Sequence, residues 1–246
     1  MGMLFLGTSS HTTIQSPHPK PVRANASETP PPQKIKEIRV CLHRICSRKG
    51  SIETLQVLTD LAPPDLTVKS CGCLGKCGIG PNVVLLPGPV FVSHLGTAAK
   101  AAKLLSDACE GEVGSWSKSL EALALKRRAE AQMEVDNFSE AEGLLSQAIE
   151  LKPHGGIHVL YKDRAAARIA IGDVSNALED VKEALTLAPN YTEAYIVQGD
   201  AFMAIEQFDG AEESYSKALE LDPSKRRSKS FKVRIAKLQE KLIITQ

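Results

Sequence analysis

With 246 residues, the chain is long enough for two small domains, or for one domain joined to a repeat array. A net charge of +1 gives no global field that would attract nucleic acid or an anionic membrane. Aromatic residues, at 4%, are too few for a surface on which bases stack, and no segment approaches the roughly 20 apolar residues of a membrane span. We therefore expect neither a nucleic-acid partner nor a membrane-spanning helix.

The first 33 residues predict a leader rather than a folded element. Residues 1–27 contain no Asp or Glu but seven Ser or Thr, and the first basic residue is Lys20. Such an acid-poor, hydroxylated segment resembles an organelle transit peptide, with a merely disordered tail as the alternative. Mitochondrial leaders are usually arginine-rich from the start, so the late basic residue favours a chloroplast address, in the stroma or at the thylakoid, over a mitochondrial one.

Residues 34–110 predict a compact α+β unit. EIRVC alternates Ile38 and Val40 with charged residues, which indicates a strand, and SIETLQVLTDLA places Leu55, Leu58 and Leu61 on one face of a helix. LTVKS predicts a second strand, NVVLLPGPVFVSHL predicts a hairpin around Pro-Gly-Pro, and GTAAKAAKLLSDAC predicts a closing helix. The expected order is strand, helix, strand, strand, strand, helix.

Two cysteine pairs lie in this segment, one after the first predicted strand and one before the predicted hairpin. CLHRIC places four residues between Cys41 and Cys46, and CLGKC places three between Cys73 and Cys77, followed by GIGPNV. Secreted disulfide frameworks are short and loop-rich, which this chain is not. Four thiols that meet at one point need a strong cationic centre to stay deprotonated at neutral pH, and iron supplies one. The spacing therefore favours metal or redox chemistry.

With these spacings and this order of elements, residues 36–108 resemble the thioredoxin-like 2Fe-2S ferredoxins, a family that includes the small flavoprotein-associated subunit of respiratory complex I. The resemblance implies a cluster held by two cysteines after the first strand and by two in a later loop. Carried over onto this sequence, the ligands are Cys41, Cys46, Cys73 and Cys77.

Other interpretations of the cysteines stay open. Cys71 is an additional thiol that could replace Cys73 as a ligand or form a redox pair with another thiol. Zinc held by four cysteines and a domain that keeps the cysteines without a metal are further alternatives. His43 lies two residues after Cys41 but is left out of the ligand set, because cysteines fill all four positions of the family pattern.

From about residue 120 the periodicity is helical, and it repeats. Pro153, Pro189 and Pro223 end three similar stretches with spacings of 36 and 34 residues, and the two extra residues fall in HGGIH. Small residues recur at the same distances before each proline. This pattern resembles the tetratricopeptide repeat (TPR). The predicted segments are a linker at 111–121, repeats at 122–153, 158–189 and 192–223, and a capping helix at 224–246 with the stripe Phe231, Ile235, Leu238 and Leu242.

By this resemblance, the first helix of each repeat lines a concave groove that binds an amphipathic helix or an extended segment of a partner protein. The expected groove is largely apolar, contains two methionines and carries charges of both signs. Its predicted residues are Leu123, Lys126, Met133, Val159, Lys162, Ile169, Ile196, Asp200 and Met203.

One TPR subfamily clamps the acidic C-terminal tails of heat-shock chaperones through five positions, which in that family are Lys, Asn, Asn, Lys and Arg. Lys126 fits the first of them. Acids at the next three positions would repel a carboxylate, so the sequence excludes a chaperone tail as partner. The four positions that depart from the pattern are Glu130, Asp163, Glu193 and Val197.

The predicted fold class is an α+β thioredoxin-like ferredoxin domain followed by an all-α TPR superhelix of three repeats and a capping helix. No nucleophile–base pair or phosphate loop is present in the sequence, so we do not expect an enzyme. The expected function is a chloroplast adaptor that carries a 2Fe-2S cluster and serves as a redox-linked or cluster-dependent factor in assembly or electron transfer. The alternatives are a pure TPR scaffold with a non-functional ferredoxin-like domain and a thiol-disulfide redox protein.

Overall fold

The computed structural model describes residues 34–109 and 115–245, which belong to one compact unit. The predicted leader at 1–33, and with it the predicted chloroplast address, lies outside the described residues. The same holds for residues 111–114 of the predicted linker.

Four strands form one mixed sheet at the N-terminal end of the described chain. The strand order is β2-β1-β3-β4, with β1 parallel to β2 and antiparallel to β3, and with β3 antiparallel to β4. The predicted order of strands and helices is confirmed, with two additions: a single-turn helix, α1, in the predicted loop after β1, and a 3-10 turn, Cys77–Ile79, between β2 and β3. The elements are β1 Glu37–Cys41, α1 Arg44–Arg48, α2 Ser51–Leu61, β2 Thr67–Cys71, β3 Val83–Leu86, β4 Val90–Val92 and α3 Ala98–Ala108.

The alternation in β1 determines which face of the sheet is buried. Ile38 and Val40 are fully buried, and they share one core with Leu58 of α2 and Leu105 of α3. Trp116, beyond the sheet domain in sequence, belongs to the same core and is 4% exposed. The core of the sheet domain therefore continues into the helical part of the chain.

In the described residues from 115 onward, seven α-helices form three pairs and a final single helix, with a short 3-10 helix, Pro223–Arg227, before the last, and together they form the TPR superhelix of the C-terminal part. The first of them begins at Ser115, so part of the predicted linker at 111–121 is helical, which corrects that boundary. The helices are α4 Ser115–Glu134, α5 Phe138–Glu150, α6 Ile157–Ala170, α7 Val174–Leu187, α8 Thr192–Ala204, α9 Phe208–Leu221 and α10 Lys229–Thr245.

Small residues lie where the paired helices approach each other most closely. Ala129 and Ala165 are fully buried at equivalent positions of the first two repeats, and the third repeat has Gly199 there. A Cβ on Gly199 would lie 2.4 Å from the ring of Tyr215, whereas the first two repeats have Leu145 and Val181 in place of that tyrosine. The smallest residue thus faces the largest partner, which keeps the volume of each pair nearly constant.

The capping helix packs as its stripe predicts. Phe231 and Leu238 are buried against α9, and Ile235 and Leu242 are partly buried beside them. Within the described residues, no helix combines the length and the apolar character that crossing a membrane requires.

Candidate functional sites: a thiol cluster and a partly closed groove

The first cysteine pair is buried where β1 meets α1. Cys41 is the last residue of β1, and Cys46 lies in the single-turn helix that follows; their exposed fractions are 1% and 0%. The thiol of Cys41 contacts the thiols of both Cys46 and Cys73. The turn at α1 therefore directs two thiols toward the loop that carries the second pair.

The second pair lies in the loop between β2 and β3. The Sγ atoms of Cys73 and Cys77 are 3.5 Å apart, and the amide of Gly75 donates to Cys73 Sγ at 3.4 Å. His43, which the sequence interpretation left out, brings an imidazole nitrogen to within 4.8 Å of both thiols. The structure thus joins the two predicted pairs through the contact of Cys41 with Cys73 and places a histidine beside the more exposed pair.

Hydrogen bonds to sulfur distinguish the two buried thiols. Burial raises the pKa of Cys41, but hydrogen bonds from the backbone of His43 and Leu74 and from neighbouring thiols bring that pKa below its ordinary value. The pKa of Cys46 is raised, first by burial and then by Cys41, although the backbone and side chain of Asn82 oppose the rise. Backbone amides directed at sulfur are a usual feature of iron-sulfur sites.

Gly80 makes the close approach of the second loop to Cys46 possible. A Cβ at this position would lie 2.8 Å from Cys46 Sγ, whereas Gly72 and Gly78 have open space around them. Of the loop glycines, Gly75 has the positive φ, +78°, that favours glycine. Of the four glycines in this loop, Gly80 is therefore the one that packs closely against a ligand thiol.

Cys71 lies apart from this cluster. It ends β2, directly opposite Cys41 in the parallel register, and is partly exposed. Burial and then the charge of the nearby Cys41 raise its pKa, and no hydrogen bond to its sulfur contributes to that shift. The geometry favours Cys73 over Cys71 as the third ligand.

The groove of the repeats begins with a buried ionic cluster. Lys126 Nζ lies 3.2 Å from Asp60 of α2 and 3.6 Å from Asp163 of α6, and it bonds to Glu130. The side chains of Lys126 and Asp60 are each 4% exposed. Burial alone lowers the pKa of Lys126, but the surrounding carboxylates more than offset it, so the pKa is raised and the ammonium stays charged. Burial raises the pKa of Asp60 in spite of Lys126.

A glycine pair allows the sheet domain to approach this cluster. A Cβ on Gly155 would lie 2.1 Å from the carbonyl oxygen of Leu61, and one on Gly156 would lie 1.9 Å from that of Asp60. The amide of Gly156 donates to Ala62 O at 3.0 Å. The loop between the first two repeats therefore packs backbone to backbone on the end of α2.

This contact corrects the predicted groove. Leu123, Lys126 and Val159 are at most 5% exposed, and Leu123 belongs to the core of the sheet domain, so these three residues do not face an open surface. The other predicted positions are partly exposed, and two of them, Ile196 and Met203, pack against the core of the third repeat. The partly exposed positions are Met133, Lys162, Ile169, Ile196, Asp200 and Met203.

Sequence reasoning did not assign a role to Asp60, Gly155 or Gly156. The signal for the glycines was present, since the two extra residues of the first repeat spacing fall in HGGIH. Asp60 had no such signal, because a single acid near the end of an amphipathic helix is ordinary.

Comparison with known proteins agrees with the helical architecture. Residues 192–225 match the sequence profile of the tetratricopeptide repeat family. The chain is 36% identical over 40% of its length to the Hsp70-Hsp90 organizing protein of Triticum aestivum, and 33% identical over 45% to heat shock protein STI1 of Saccharomyces cerevisiae. A solved structure, the first TPR of Spaghetti (RPAP3) bound to HSP90 peptide SRMEEVD, covers 50% of this chain and 94% of its own, with 25% identity and a TM-score of 0.44.

The sequence matches show TPR repeats in the C-terminal part that are related to those of Hsp70 and Hsp90 organising proteins. The matches cover 17% and 19% of the two relatives' own lengths, so they concern the repeats rather than whole proteins. The two relatives are named as an organising protein and a heat shock protein.

One prediction needs correction. The sequence excluded heat-shock chaperone tails from the mismatched clamp positions, but the matched relatives include a protein named as an organiser of Hsp70 and Hsp90. Individual substitutions at clamp positions do not justify an exclusion when the whole repeat region is related to such proteins.

Proposed function

We propose that the chain is a protein-interaction adaptor whose TPR groove binds a segment of a partner. The observation that carries this proposal is the groove itself: three packed helix pairs leave Met133, Ile169 and Met203 partly exposed along the inner helices. Methionine adapts to varied apolar surfaces, which suits binding of another protein's segment. The relationship of the repeats to those of organising proteins supports the same function.

Affinity capture from a cell lysate, with quantitative mass spectrometry, tests this function. We expect Met203→Glu and Met133→Glu to reduce recovery of specific partners by about tenfold, because each places a charge on an apolar contact. Gln147→Glu, at an exposed position of α5, adds the same charge elsewhere and is the control. Circular dichroism verifies that each variant is folded. Unchanged partner recovery with both groove variants would contradict the proposal.

We propose further that the sheet domain is a thioredoxin-like ferredoxin domain that holds a 2Fe-2S cluster through Cys41, Cys46, Cys73 and Cys77. The strand order and the convergence of four thiols with amides directed at sulfur support this assignment. When bound, such a cluster supplies one-electron redox chemistry. The comparisons concern the repeats and fit a pure TPR scaffold better than a cluster carrier, so the cluster proposal depends on the strand order and the thiol geometry.

Anaerobic purification, visible absorption and iron quantitation test the cluster. We expect a red-brown protein with about two irons per chain. Cys77→Ser should abolish the colour, whereas Cys71→Ser and Cys109→Ser should retain it. Zinc bound in place of iron would support the alternative of a zinc site held by four cysteines. A colourless, iron-free protein after anaerobic reconstitution would leave the scaffold interpretation.

The chloroplast location is likewise proposed, from the composition of residues 1–27. Fluorescence microscopy of the full chain fused at its C-terminus, against the chain that begins at residue 34, tests it. Plastid import of both proteins, or of neither, would contradict the proposal.

A further inference from the structure

A depression of about 790 Å³ opens at the cap end of the groove, between α6, α8 and α10. Ile169, Met203 and Val233 contribute its apolar lining, one from each helix. Val233 is 62% exposed, even though α10 buries a separate apolar stripe against α9. The helix therefore has a second apolar contact position that faces the groove.

The charges around this depression are strongly one-sided. Residues 224–246 contain eight Lys or Arg and one Glu, while the whole chain has a net charge of +1, so the remainder is net acidic. Lys229 and Lys237 line the depression and are exposed, and neither has an ion pair within the part of the chain that the structure describes. The rim thus carries uncompensated positive charge.

The single carboxylate in the lining does not cancel this charge. Arg234 donates to both oxygens of Asp200 at 2.7–2.9 Å, and the hydroxyl of Tyr215 donates to Asp200 at 2.7 Å. Asp200 is therefore fully engaged with α9 and α10. An acidic ligand would meet two free ammonium groups and a neutralised carboxylate.

We propose that this depression, defined by Ile169, Met203, Val233, Lys229 and Lys237, binds an acidic amphipathic segment of a partner protein. This inference rests on the proposed adaptor function and specifies the chemistry of its ligand. The segment places apolar side chains on the lining and carboxylates on the two lysines. A volume of this size accommodates a few side chains of one segment rather than a folded domain. The buried ion cluster at Lys126 leaves the cap end as the more accessible part of the groove.

The test uses the full chain and a labelled synthetic peptide of 14 residues, with leucines along one helical face and glutamates on the other. Its ends are acetylated and amidated, so that binding does not depend on a terminal carboxylate. Fluorescence anisotropy should give saturable binding that weakens with added salt. We expect Val233→Glu to weaken binding about tenfold and Lys237→Glu about fivefold.

Lys232→Glu is the matched control, because it makes the same charge change on the same helix. Lys232 lines a different depression, together with Leu219 and Phe231. We expect it to change the affinity less than about twofold. Equal weakening by Lys232→Glu and Lys237→Glu would overturn the inference in favour of nonspecific attraction to a basic helix.

Two further outcomes would also overturn it. One is equal binding of a peptide with serines in place of the leucines, since the apolar lining would then have no role. The other is sedimentation of the free chain as a dimer that Val233→Glu dissociates, because the occupant would then be a second copy. Absence of peptide binding while partner capture still depends on Met133 would reject this inference and leave the adaptor function in place.

Discussion

The two ends of the TPR groove contain lysines in opposite environments. At the first repeat, Lys126 is 4% exposed and its charge is matched by carboxylates from three helices, one of them in the sheet domain. At the cap, Lys237 is exposed and lines an open depression. The same residue type stabilises a domain contact at one end and is available to a ligand at the other. The function of a groove residue thus depends on what the rest of the chain packs against it.

The largest expected loss of stability comes from the buried ion cluster at Lys126, the end of the groove against which the sheet domain packs. Lys126→Met would leave Asp60 buried without its counter-ion, whereas Asp163 keeps Lys162 as a partner. Breaking a buried ion pair from one side costs about 3–5 kcal/mol. We expect urea denaturation of the full chain to show a loss of this size in the free energy of unfolding. A double variant that adds Asp60→Asn should recover part of the loss, because it removes the unpaired charge. No recovery would mean that Asp60 and Lys126 are not coupled.

The next largest loss of stability should come from the glycine contact between the loop of the repeats and the end of α2. Gly156→Ala places a Cβ 1.9 Å from Asp60 O, a backbone atom that cannot move away as a side chain can. Together with the cost of a positive φ, we expect a destabilisation of about 3 kcal/mol in urea denaturation. Gly172→Ala is the control, because Gly172 has a similar φ of +87° but open space around it. Similar losses in both variants would show that backbone strain, and not domain contact, accounts for the effect.

The stability of the fold should depend on pH through His158, which is buried in α6, the helix that contributes Asp163 to the ion cluster. Burial, with a smaller effect of Lys162, lowers the pKa of His158 to about 4, from an ordinary value of 6.5. As pH falls between these values, the unfolded chain takes up a proton that the folded chain does not, so stability decreases. The difference amounts to about 2–3 kcal/mol. Stability measured at pH 7 and pH 4 should fall less in His158→Gln than in wild type. Parallel pH profiles would contradict this assignment.

The sequence predicted much of the fold but only part of the groove. The repeats were predictable because small residues such as Ala129 and Ala165 recur in register with the prolines, and local periodicity determines helix pairing. The assignment of the cysteine pairs as cluster ligands stays a prediction, although Cys41 contacts Cys73 and so links the two pairs. The closure at Lys126 was not predictable, because Asp60 lies 66 positions away in a helix whose own pattern reveals no partner. Contacts between the two domains depend on tertiary packing that no local pattern encodes.

The smallest expected loss of stability concerns an exposed ion pair at the same domain contact, which can be compared directly with the buried cluster. Arg127 follows Lys126 in α4 and also reaches α2, where its guanidinium lies 3.4 Å from Glu53, but these side chains are 41% and 67% exposed. Water and salt screen such a pair, so Arg127→Ala should cost less than about 0.5 kcal/mol. Urea denaturation at low and high salt measures this value beside Lys126→Met. A loss of several kcal/mol for Arg127→Ala would mean that the contact depends on surface charge rather than on the buried cluster. Because the two residues are adjacent in one helix and both reach α2, the comparison contrasts a buried with an exposed ion pair at the same domain contact.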